Sequence, residues 1–365
     1  MPHADRIAVH QVVPTFARRD AIGGHALLAQ RLLRAEGFSS QIFTASAPRH
    51  LRHLVRDVRA LPAGERTWIL YQCSTGAPIA DELYERAQPL IVDYHNITPA
   101  RFFVPWEPRI ANELEAGRQQ MMRLAERAVL GLADSGFNRA ELERAGYRST
   151  TVAPLLIDFA SFDRRADRRA LDRLQRGKAS GGADWLFVGR LSPNKAQHDI
   201  VQAFAVYRRC YDPQARLTLA GGSSSLRYER ALRASIAALG LGDSVRMPGS
   251  VSDAVLAAHY RTADVFVCLS DHEGFCVPLL EAMHHRLPIV AFAAAAVPET
   301  LAGGGLCLPD KEPAAVAHAV SRVLTEDSLR AHLVRSGERR VRDFDLTRTG
   351  AIFTSAITGA IGVAA

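Results

Sequence analysis

The sequence lacks long hydrophobic runs and has few cysteines, and both features narrow the possible function classes. No apolar run approaches the roughly 18–20 residues that cross a bilayer, and candidates such as Ala291–Val297 are short and lie mid-chain. The five cysteines are scattered, odd in number and without CxxC or Cys/His spacing, which argues against structural zinc and for a reducing compartment. The charged segment Met1–Arg6 leads directly into a strand pattern, so we expect no signal peptide. We therefore expect a cytoplasmic protein.

The composition is that of a globular protein with a basic surface. A length of 365 residues favours two domains, and 48% hydrophobic with 23% charged residues allows a core in each. The net charge of +7 suits nucleic acid, an anionic membrane or phosphorylated ligands. No nucleic-acid-binding motif accompanies the charge, so we expect no nucleic-acid partner.

Strand and helix patterns alternate in both halves of the chain, which predicts two mostly parallel, doubly wound α/β domains. The first half opens with a β-branched strand at Ile7–Val13 and a helix at His25–Ala35, and a long helix is predicted at Arg109–Leu130. An Arg/Asp-rich stretch then interrupts the pattern. We predict a first domain over 1–165, a linker region with a polar helix over 166–183, a second domain over 184–345, and a C-terminal helix over 346–365 that crosses back to the first domain.

Two carboxylates flank a predicted helix start in the second half. Residues 270–283, with the sequence SDHEGFCVPLLEAM, follow an apolar strand and open a helix. Backbone N–H groups at a helix N-terminus form an anion site, here on Gly274, Phe275, Cys276 and Val277. Glu273 before the helix and Glu281 within it can accept hydrogen bonds from ligand hydroxyls on either side of a bound diphosphate.

A basic turn opens the second half. In residues 187–195, FVGRLSPNK, a glycine turn follows a strand and carries two cations, Arg190 and Lys195. Two fixed cations at a strand end suit a diphosphate that develops negative charge.

The two strings together resemble the E-x7-E and G-R-x4-K signatures of retaining glycosyltransferases of family 4, which have the GT-B fold of two facing Rossmann-like domains. The resemblance runs from Ile7 to about Ala351 and is to bacterial surface-polysaccharide mannosyl- and hexosyltransferases. It implies that Glu273 contacts donor-sugar hydroxyls, that Glu281 contacts the nucleotide ribose, and that Arg190 and Lys195 bind the donor phosphates. We therefore expect transfer of a mannose-like hexose from a nucleotide-diphosphate sugar to a glycan or polyprenyl-diphosphate-linked acceptor.

Weaker matches extend the resemblance. Gly23 and Gly24 match a glycine-rich loop near the donor phosphates, and Gly249 belongs to a loop that often packs against the nucleobase. His95, in the string DYHNITP over 93–99, matches a histidine beside the transferred sugar, which it orients through a neutral ring. The resemblance thus implies the catalytic residues His95, Glu273, Arg190 and Lys195, and the donor-binding residues Gly23, Gly24, Arg190, Lys195, Gly249, Gly274, Phe275, Cys276, Val277 and Glu281.

The sequence departs from the family pattern at two places. Residues 155–158, LLID, replace the usual Asn-Gly-Val-Asp at the domain crossover, which leaves that turn open. Residues 284–286, HHR, replace small residues and a glycine, which leaves the packing beneath the nucleotide open.

The sequence contains no metal-ligating constellation, and we expect neither a metal nor a cofactor. The DFD string at 343–345 is far from the strand-end sites and is interpreted as incidental. Fixed cations and a helix dipole can replace a metal at the leaving diphosphate. The alternatives are a nucleotide-sugar epimerase or glycan phosphorylase on a similar fold, neither of which is expected to pair these signatures, and a non-catalytic nucleotide-sugar-binding subunit.

A basic amphipathic segment suggests a membrane contact. If residues 49–59 form a helix, Leu51, Leu54, Val55 and Val58 share one face and arginines crowd the others. Such a helix fits an anionic membrane surface, and equally a surface helix packed on its own core. Peripheral attachment at the inner face of the membrane is therefore a second expectation for location.

Overall fold

The structure, a computed structural model, describes residues 6–17, 21–162, 166–179 and 181–364. Its α-carbon contacts form two compact units. The first unit comprises the chain up to Ala100 together with Arg109–Ile157 and Phe344–Ala365, and the second comprises Arg101–Pro108 and Asp158–Asp343. The expectation about a signal peptide rests on a segment that begins outside the described residues.

The first unit is built on a seven-stranded parallel sheet with the order β3-β2-β1-β4-β5-β6-β7. Its strands are β1 Ala8–Thr15, β2 Ile42–Ser46, β3 Arg56–Asp57, β4 Thr67–Cys73, β5 Leu90–Tyr94, β6 Ala128–Ala133 and β7 Thr150–Val152. The central strands β4 and β5 are buried along their whole length, as expected for parallel strands covered on both faces.

Within the described residues, five α-helices accompany this sheet, and the last one comes from the C-terminal part of the sequence. They are α1 Ala21–Ala35, α2 Pro78–Glu85, α3 Pro108–Leu124, α4 Gly136–Arg144 and α13 Leu346–Ala364. Phe353, Ile357 and Ile361 of α13 lie in one apolar cluster with Val9 of β1 and Leu33 of α1. The C-terminal helix is therefore part of the core of the first unit.

The second unit is built on a six-stranded parallel sheet with the order β10-β9-β8-β11-β12-β13. Its strands are β8 Asp184–Val188, β9 Arg216–Ala220, β10 Val245–Gly249, β11 Val265–Cys268, β12 Ile289–Phe292 and β13 Leu306–Leu308. Its helices are α5 Arg168–Ala179, α6 Gln197–Cys210, α7 Leu226–Ala238, α8 Asp253–Thr262, α9 Val277–His284, α10 Val297–Leu301, α11 Pro313–Thr325 and α12 Asp327–Arg342. The two parallel sheets confirm the predicted pair of Rossmann-like α/β domains.

The stretch predicted as a linker region is part of the second unit. Ala166, and Ala170 on α5, lie in a small apolar cluster with Ala257 and Ala258 of α8. The Arg/Asp-rich sequence hides this contact because its buried members are alanines, while Leu171, Leu174 and Val255 pack against them partly exposed. The unit boundary lies at Ile157, before the predicted end of the first domain at residue 165, and residues 163–165 lie outside the described part.

The predicted long helix Arg109–Leu130 is wrong at its C-terminal end. Helix α3 ends at Leu124, and the chain re-enters the sheet as β6 at Ala128. The alanines and leucines of this stretch are good helix formers, but β6 pairs with both β5 and β7. Tertiary pairing therefore overrides the local propensity.

The amphipathic helix expected over residues 49–59 is also wrong. The chain forms a 3-10 turn at Arg49–Leu54, the strand β3 at Arg56–Asp57 and a second 3-10 turn at Val58–Ala60. Leu51 is buried and packs with Phe16 and Ile42. Strand pairing of Phe43 with Arg56 interrupts any continuous helical face. Among the described residues, no helix combines the length and apolar character needed to span a membrane.

Candidate active site

Two loops of the second unit lie at the same edge of its sheet. The 189–195 loop follows β8, and the 269–276 loop follows β11, the neighbouring strand. Because the strands are parallel, both loops leave from their carboxyl ends, the edge at which ligands of such sheets bind. The two strings that carry the sequence prediction are therefore neighbours.

A pair of glycines lets the loop after β8 approach the turn after β9. Gly221 has φ +150°, and a Cβ added to it would lie 1.9 Å from the carbonyl oxygen of Gly189. Gly221 N also donates to the carbonyl oxygen of Gly249, at the end of β10, over 3.0 Å. Gly249 itself has φ +72°. The three strand ends are thus joined backbone to backbone, and Gly249 lies at the edge where the resemblance expects it.

Asn194 joins the two site loops. Its carbonyl oxygen accepts from the backbone N–H of Asp271 at 2.9 Å, and its side-chain amide donates to the carbonyl oxygen of His272 at 3.2 Å. Ser192 Oγ donates to Asn194 Oδ1 at 2.6 Å and holds that amide in place. Asn194 is buried, so these contacts are shielded from water. The sequence offered no signal for this role beyond the position of Asn194 inside the basic turn.

The best-placed charged pair in the site is Lys195 with Glu273. The Lys195 ammonium donates a short hydrogen bond to Glu273 Oε2, and the two side chains are 21% and 8% exposed. Burial alone would lower the pKa of Lys195, but the Glu273 carboxylate and two nearby sulfurs outweigh it and raise that pKa. Lys195 is therefore a permanent cation held at the strand-end edge, and Glu273 is oriented by it.

Arg190 differs from Lys195 in its surroundings. Its side chain is exposed, and it has no ion-pair partner within the ranges that the structure describes. Its backbone is fixed, because the carbonyl oxygen of Arg190 accepts from Gln197 Nε2 at 2.9 Å. Arg190 thus extends from a rigid loop toward solvent, as a residue that binds an incoming anion would.

Glu281 is anchored by a tyrosine from another helix. Tyr260 on α8 donates its hydroxyl hydrogen to Glu281 Oε2 over 2.6 Å, and Tyr260 itself is buried. Burial raises the pKa of Glu281, and the Tyr260 hydrogen bond opposes that rise. Glu281 is half-buried, which argues against a mere surface helix position. Tyr260 is a site residue that the sequence analysis missed, because its partner is 21 positions away on a different element.

The start of α9 has the geometry that the sequence predicts. Cys276 precedes the helix with φ +73°, in the left-handed region, and Pro278 lies in the first turn. Thr300 Oγ1 donates to the carbonyl oxygen of Phe275 at 2.5 Å. The backbone N–H of Ala296 donates to the carbonyl oxygen of Glu273 at 3.2 Å. The loop is thereby fixed from α10. Binding of a diphosphate by the amides of residues 274–277 stays a prediction.

The HHR departure from the family pattern is accommodated by aromatic packing. His284 stacks on Phe159 at 24° between ring planes, and His285 stacks on Tyr260 at 19°. Arg286 adopts φ +58°, the left-handed conformation that glycine adopts most readily, and pairs with Glu338 at 3.1 Å. The backbone thus keeps the shape expected of a glycine, and the histidines extend the packing around Tyr260.

His95 lies in a buried network at the carboxyl edge of the first sheet. Its Nδ1 is 3.0 Å from both carboxylate oxygens of Asp134, and its side chain is 1% exposed. Its Nε2 faces the side-chain oxygen of Gln72 on β4 at 2.5 Å. Gln72 in turn donates to Gln11 Oε1 at 3.2 Å, and Gln11 donates to the carbonyl oxygen of Ala26 at 2.9 Å.

This chain of amides fixes the protons on His95. Because a backbone carbonyl only accepts, the orientation of Gln11 and then of Gln72 is set, and Nε2–H of His95 must donate to Gln72. A second proton must lie between Nδ1 and Asp134, since two lone pairs would repel there. Burial raises the pKa of Asp134 against the opposing effect of His95. A neutral His95 ring, as the resemblance implies, is therefore compatible only with a protonated Asp134.

His25 completes the network on the other side of Asp93. The backbone N–H of Leu156 donates to His25 Nδ1 at 3.1 Å, so Nε2–H of His25 donates to Asp93 Oδ2 at 2.9 Å. Burial raises the pKa of Asp93, but the neighbouring His95 and His25 outweigh it and lower that pKa. Leu156 belongs to the LLID departure at the crossover, which here supplies a backbone donor and buried side chains.

Gly23 and Gly24 are not in a loop, as the sequence analysis expected, but in the first turns of α1. A Cβ at Gly23 would lie 2.0 Å from the carbonyl oxygen of Ala17, so the close approach of the preceding segment requires glycine there. A Cβ at Gly24 would meet nothing within 4 Å. Residues 18–20 lie outside the described part. Donor binding by the two glycines stays a prediction.

The structure brings together metal-ligating groups that the sequence spacing did not reveal. Ligand atoms of Cys268, Glu273 and Cys276 lie within 4.8 Å of one another, and so do those of His25, Asp93 and His95. The sequence spacing did not reveal these groups because they converge only in the folded chain, and the expectation of neither a metal nor a cofactor stays a prediction. The DFD string has other partners: Asp343 pairs with Arg340, and Asp345 Oδ1 accepts from the backbone N–H of Thr347 in α13.

A short segment that interrupts the first unit in sequence also belongs to the second unit. In Arg101–Pro108, Glu107 accepts from Ser225 Oγ at 2.8 Å, and the Trp106 ring lies edge-on to Tyr228. Phe102 lies 6.1 Å from the ring of His272, beside Glu273. No pattern in the sequence links these residues to the 269–276 loop.

The second half of the chain is similar to a described family. Residues 169–340 match the family described as Glycosyl transferases group 1. A D-inositol 3-phosphate glycosyltransferase of Geodermatophilus obscurus is 33% identical over 235 residues, which cover 61% of this chain and 50% of that protein. A GDP-mannose-dependent alpha-(1-6)-phosphatidylinositol dimannoside mannosyltransferase of Mycobacterium tuberculosis is 28% identical over 63% of this chain and 57% of its own length. The matched part of the chain spans about half the length of these relatives.

A similar fold occurs in a solved structure. The crystal structure of Anabaena HepE in complex with UDP and glucose aligns with a TM-score of 0.73 and covers 97% of this chain and 100% of that one. The sequence identity is 16%, so this likeness concerns the fold.

Proposed function

We propose that this chain is a glycosyltransferase that retains the anomeric configuration of its nucleotide-sugar donor. The support is its GT-B fold and the match of residues 169–340 to the family described as Glycosyl transferases group 1. The observation that carries the proposal is the Lys195–Glu273 ion pair, which joins the loops after β8 and β11. A cation for the leaving diphosphate and a carboxylate for the sugar hydroxyls are thereby held side by side.

In the proposed mechanism, Arg190 and Lys195 bind the donor diphosphate. Glu273 accepts hydrogen bonds from the donor sugar, and Glu281, anchored by Tyr260, accepts them from the ribose. The bond between the anomeric carbon and the phosphate oxygen breaks as the acceptor oxygen bonds to the same face of that carbon. The acceptor hydroxyl proton passes to the leaving phosphate oxygen. Fixed cations stabilise the negative charge that develops there, so no metal is needed.

We propose a mannose-like hexose as the transferred sugar, with His95 beside it. The support is the DYHNITP string and the mannosyltransferase named among the relatives. The nucleotide is left to experiment, because UDP is bound in the related fold and GDP-mannose is the donor of that relative. The acceptor is proposed to be a glycan or a lipid-linked glycan, since one relative is named for a phosphatidylinositol dimannoside.

The test is a panel of UDP- and GDP-hexoses, with binding measured by calorimetry and slow donor hydrolysis by nucleotide release. We expect one donor to bind and to be hydrolysed at an undiminished rate in excess chelator. NMR of the released sugar at early times should show the anomer of the donor. Recovery of an epimerised sugar would identify an epimerase instead, and binding without any hydrolysis or transfer would favour the non-catalytic subunit.

We propose separately that the protein attaches to the inner face of an anionic membrane. This proposal now rests only on the phosphatidylinositol dimannoside in the name of the mannosyltransferase relative. The helix that first suggested it does not form. Co-sedimentation of the protein with anionic but not neutral vesicles is the expected result, and no pelleting with either would point to a soluble acceptor.

A further inference from the structure

Three ligand atoms converge where β11 ends. The sulfur atoms of Cys268 and Cys276 are 3.9 Å apart, and both lie within 4.8 Å of a carboxylate oxygen of Glu273. The three residues are 1%, 7% and 7% exposed. The proposed mechanism uses Glu273 but neither cysteine.

The spacing of the two sulfurs suits a shared metal ion. Two thiolates bound to tetrahedral Zn²⁺ at about 2.3 Å each are separated by about 3.8 Å. The observed 3.9 Å therefore requires almost no movement of the backbone. Cys268 is fixed in the sheet, and Cys276 is fixed at the first turn of α9, so both ligands are preorganised.

The cluster already holds a positive charge. The Lys195 ammonium is bonded to Glu273, and the two sulfurs as well as the carboxylate favour its charged form. The protein thus has a cation-binding pocket that its own lysine fills. A metal ion that took the same carboxylate would compete with Lys195.

We propose that Cys268, Cys276 and Glu273 form an inhibitory site for a thiophilic divalent cation such as Zn²⁺, which displaces Lys195 from Glu273. On binding, both thiols release their protons to solvent, and the cation takes two thiolates and one carboxylate oxygen. No oxidation or reduction is involved. Three protein ligands leave a fourth position of the tetrahedron open.

The metal site stands on geometry alone, whereas the inhibition rests on the proposed function. A bound cation removes the partner that orients Lys195 and the carboxylate proposed for the donor sugar. Transfer should therefore stop while the metal is bound and return when a chelator removes it. This site is distinct from a cofactor site, because the reaction itself is expected to run in chelator.

The experiment uses the full chain with both exposed cysteines replaced, as Cys210→Ser/Cys307→Ser, in a metal-free phosphine reductant. The exposed thiols then cannot bind the probe. Burial raises the pKa of Cys73 to about 12, which keeps that thiol protonated. The reductant excludes a Cys268–Cys276 disulfide as a competing explanation. The probe is Co²⁺, whose thiolate charge-transfer absorption reports the ligands directly, followed by displacement with Zn²⁺.

We expect one Co²⁺ per chain with a thiolate band that disappears in Cys268→Ser and in Cys276→Ser. Glu273→Gln should weaken binding about tenfold or more, since one ligand is lost. Lys195→Met should tighten it about tenfold, because a competing cation is removed. This last change separates the site from an accidental thiol pair, which would not respond to Lys195.

Absence of the band, its persistence in both serine variants, or equal affinity in Lys195→Met and its parent would each overturn the proposal. Circular dichroism and Tm of every variant guard against unfolding as the cause of a lost band. If Co²⁺ binds as expected but the protein transfers no sugar, the proposed function fails and the metal site stands. If transfer is observed and Zn²⁺ leaves it unchanged, the inhibition is refuted.

Discussion

The charged groups at the carboxyl edges of the two sheets differ in how many of their hydrogen-bonding partners lie within the protein. In the first unit, the ring nitrogens of His95 and His25 are all bonded within the protein, to Asp134, Gln72, Asp93 and the backbone of Leu156. In the second unit, Arg190 is exposed and Lys195 is held by one carboxylate. The first edge is a closed network and the second is open to a ligand. Substitutions in the first network should therefore lower stability, in addition to any loss from the proposed contact of His95 with the sugar, whereas substitutions at the second edge should lower activity alone.

The largest effect is expected in the closed network. Asp134→Ala leaves the His95 proton without its carboxylate, and breaking a buried charged pair costs about 3–5 kcal/mol of the free energy of unfolding. Denaturant unfolding of the whole chain measures this loss. The control is Arg59→Ala in the same unit, which removes the exposed pair with Asp57, keeps the Asp57 cap on the backbone N–H of residue 59 and should leave stability unchanged. A stable Asp134→Ala protein would show that the network is not structural.

Next in size is the open edge. Lys195→Ala and Glu273→Ala should each lower kcat/KM for transfer about 10²-fold, the scale of losing one preorganised charged contact. Folding should be retained. The matched control is Lys178→Ala, because the Lys178–Asp264 pair of 2.6 Å lies in the same unit but before β11, at the amino ends of the strands. Equal losses in Lys178→Ala and Lys195→Ala would remove the distinction between the two ends of the sheet.

A smaller effect is expected when the anchor of Glu281 is removed. Tyr260→Phe deletes a hydrogen bond to a carboxylate, worth about 1.5 kcal/mol, so donor affinity should fall about tenfold. Tyr207→Phe is the control, since Tyr207 on α6 is buried against Trp185 on β8 and lies outside both site strings. Calorimetry with the selected donor measures both. Unchanged donor affinity in Tyr260→Phe would mean that donor binding does not depend on the hydrogen bond from Tyr260 to Glu281.

The smallest effect is expected in the pH dependence of the melting temperature. Because burial raises the pKa of Glu281, the folded state loses stability as pH rises from the unfolded pKa of about 4.3 through the raised folded value. Glu281→Gln cannot ionise, so above that range it should melt higher than the wild type by about 1–3 °C, and below it the two should coincide. A Tm difference that does not change with pH would contradict this origin. Donor affinity should fall in the same variant.

Local strings predicted the open edge much better than the closed one. The 187–195 and 270–283 strings each lie on one strand end, so their residues, helix start and glycine turn follow from local sequence. The network around His95 joins side chains from β4, α1 and the loops after β5 and β6, separated by up to 131 positions at the His25–Leu156 contact. Nothing in the DYHNITP string names Asp134 or Gln72 as partners.

The errors of the sequence analysis have the same origin. The stretch 125–130 has good helix formers, yet α3 ends at Leu124 and pairing with β5 makes the chain a strand from Ala128. The leucines and valines of residues 51–58 have helical spacing, yet β3 interrupts them. Each error concerns a contact that the spacing of residues along the chain does not encode.

Helix α13 supplies Phe353, Ile357 and Ile361 to the core of the first unit. The first unit is therefore begun first during synthesis, but its core is completed last. On a ribosome adding about 5–20 residues per second, the second unit has all its residues through Asp343 before α13 is made. The first unit, although it begins at the N-terminus, must wait with an exposed apolar groove for the last helix. Nascent chains stalled near residue 343 should therefore bind chaperones through their older half.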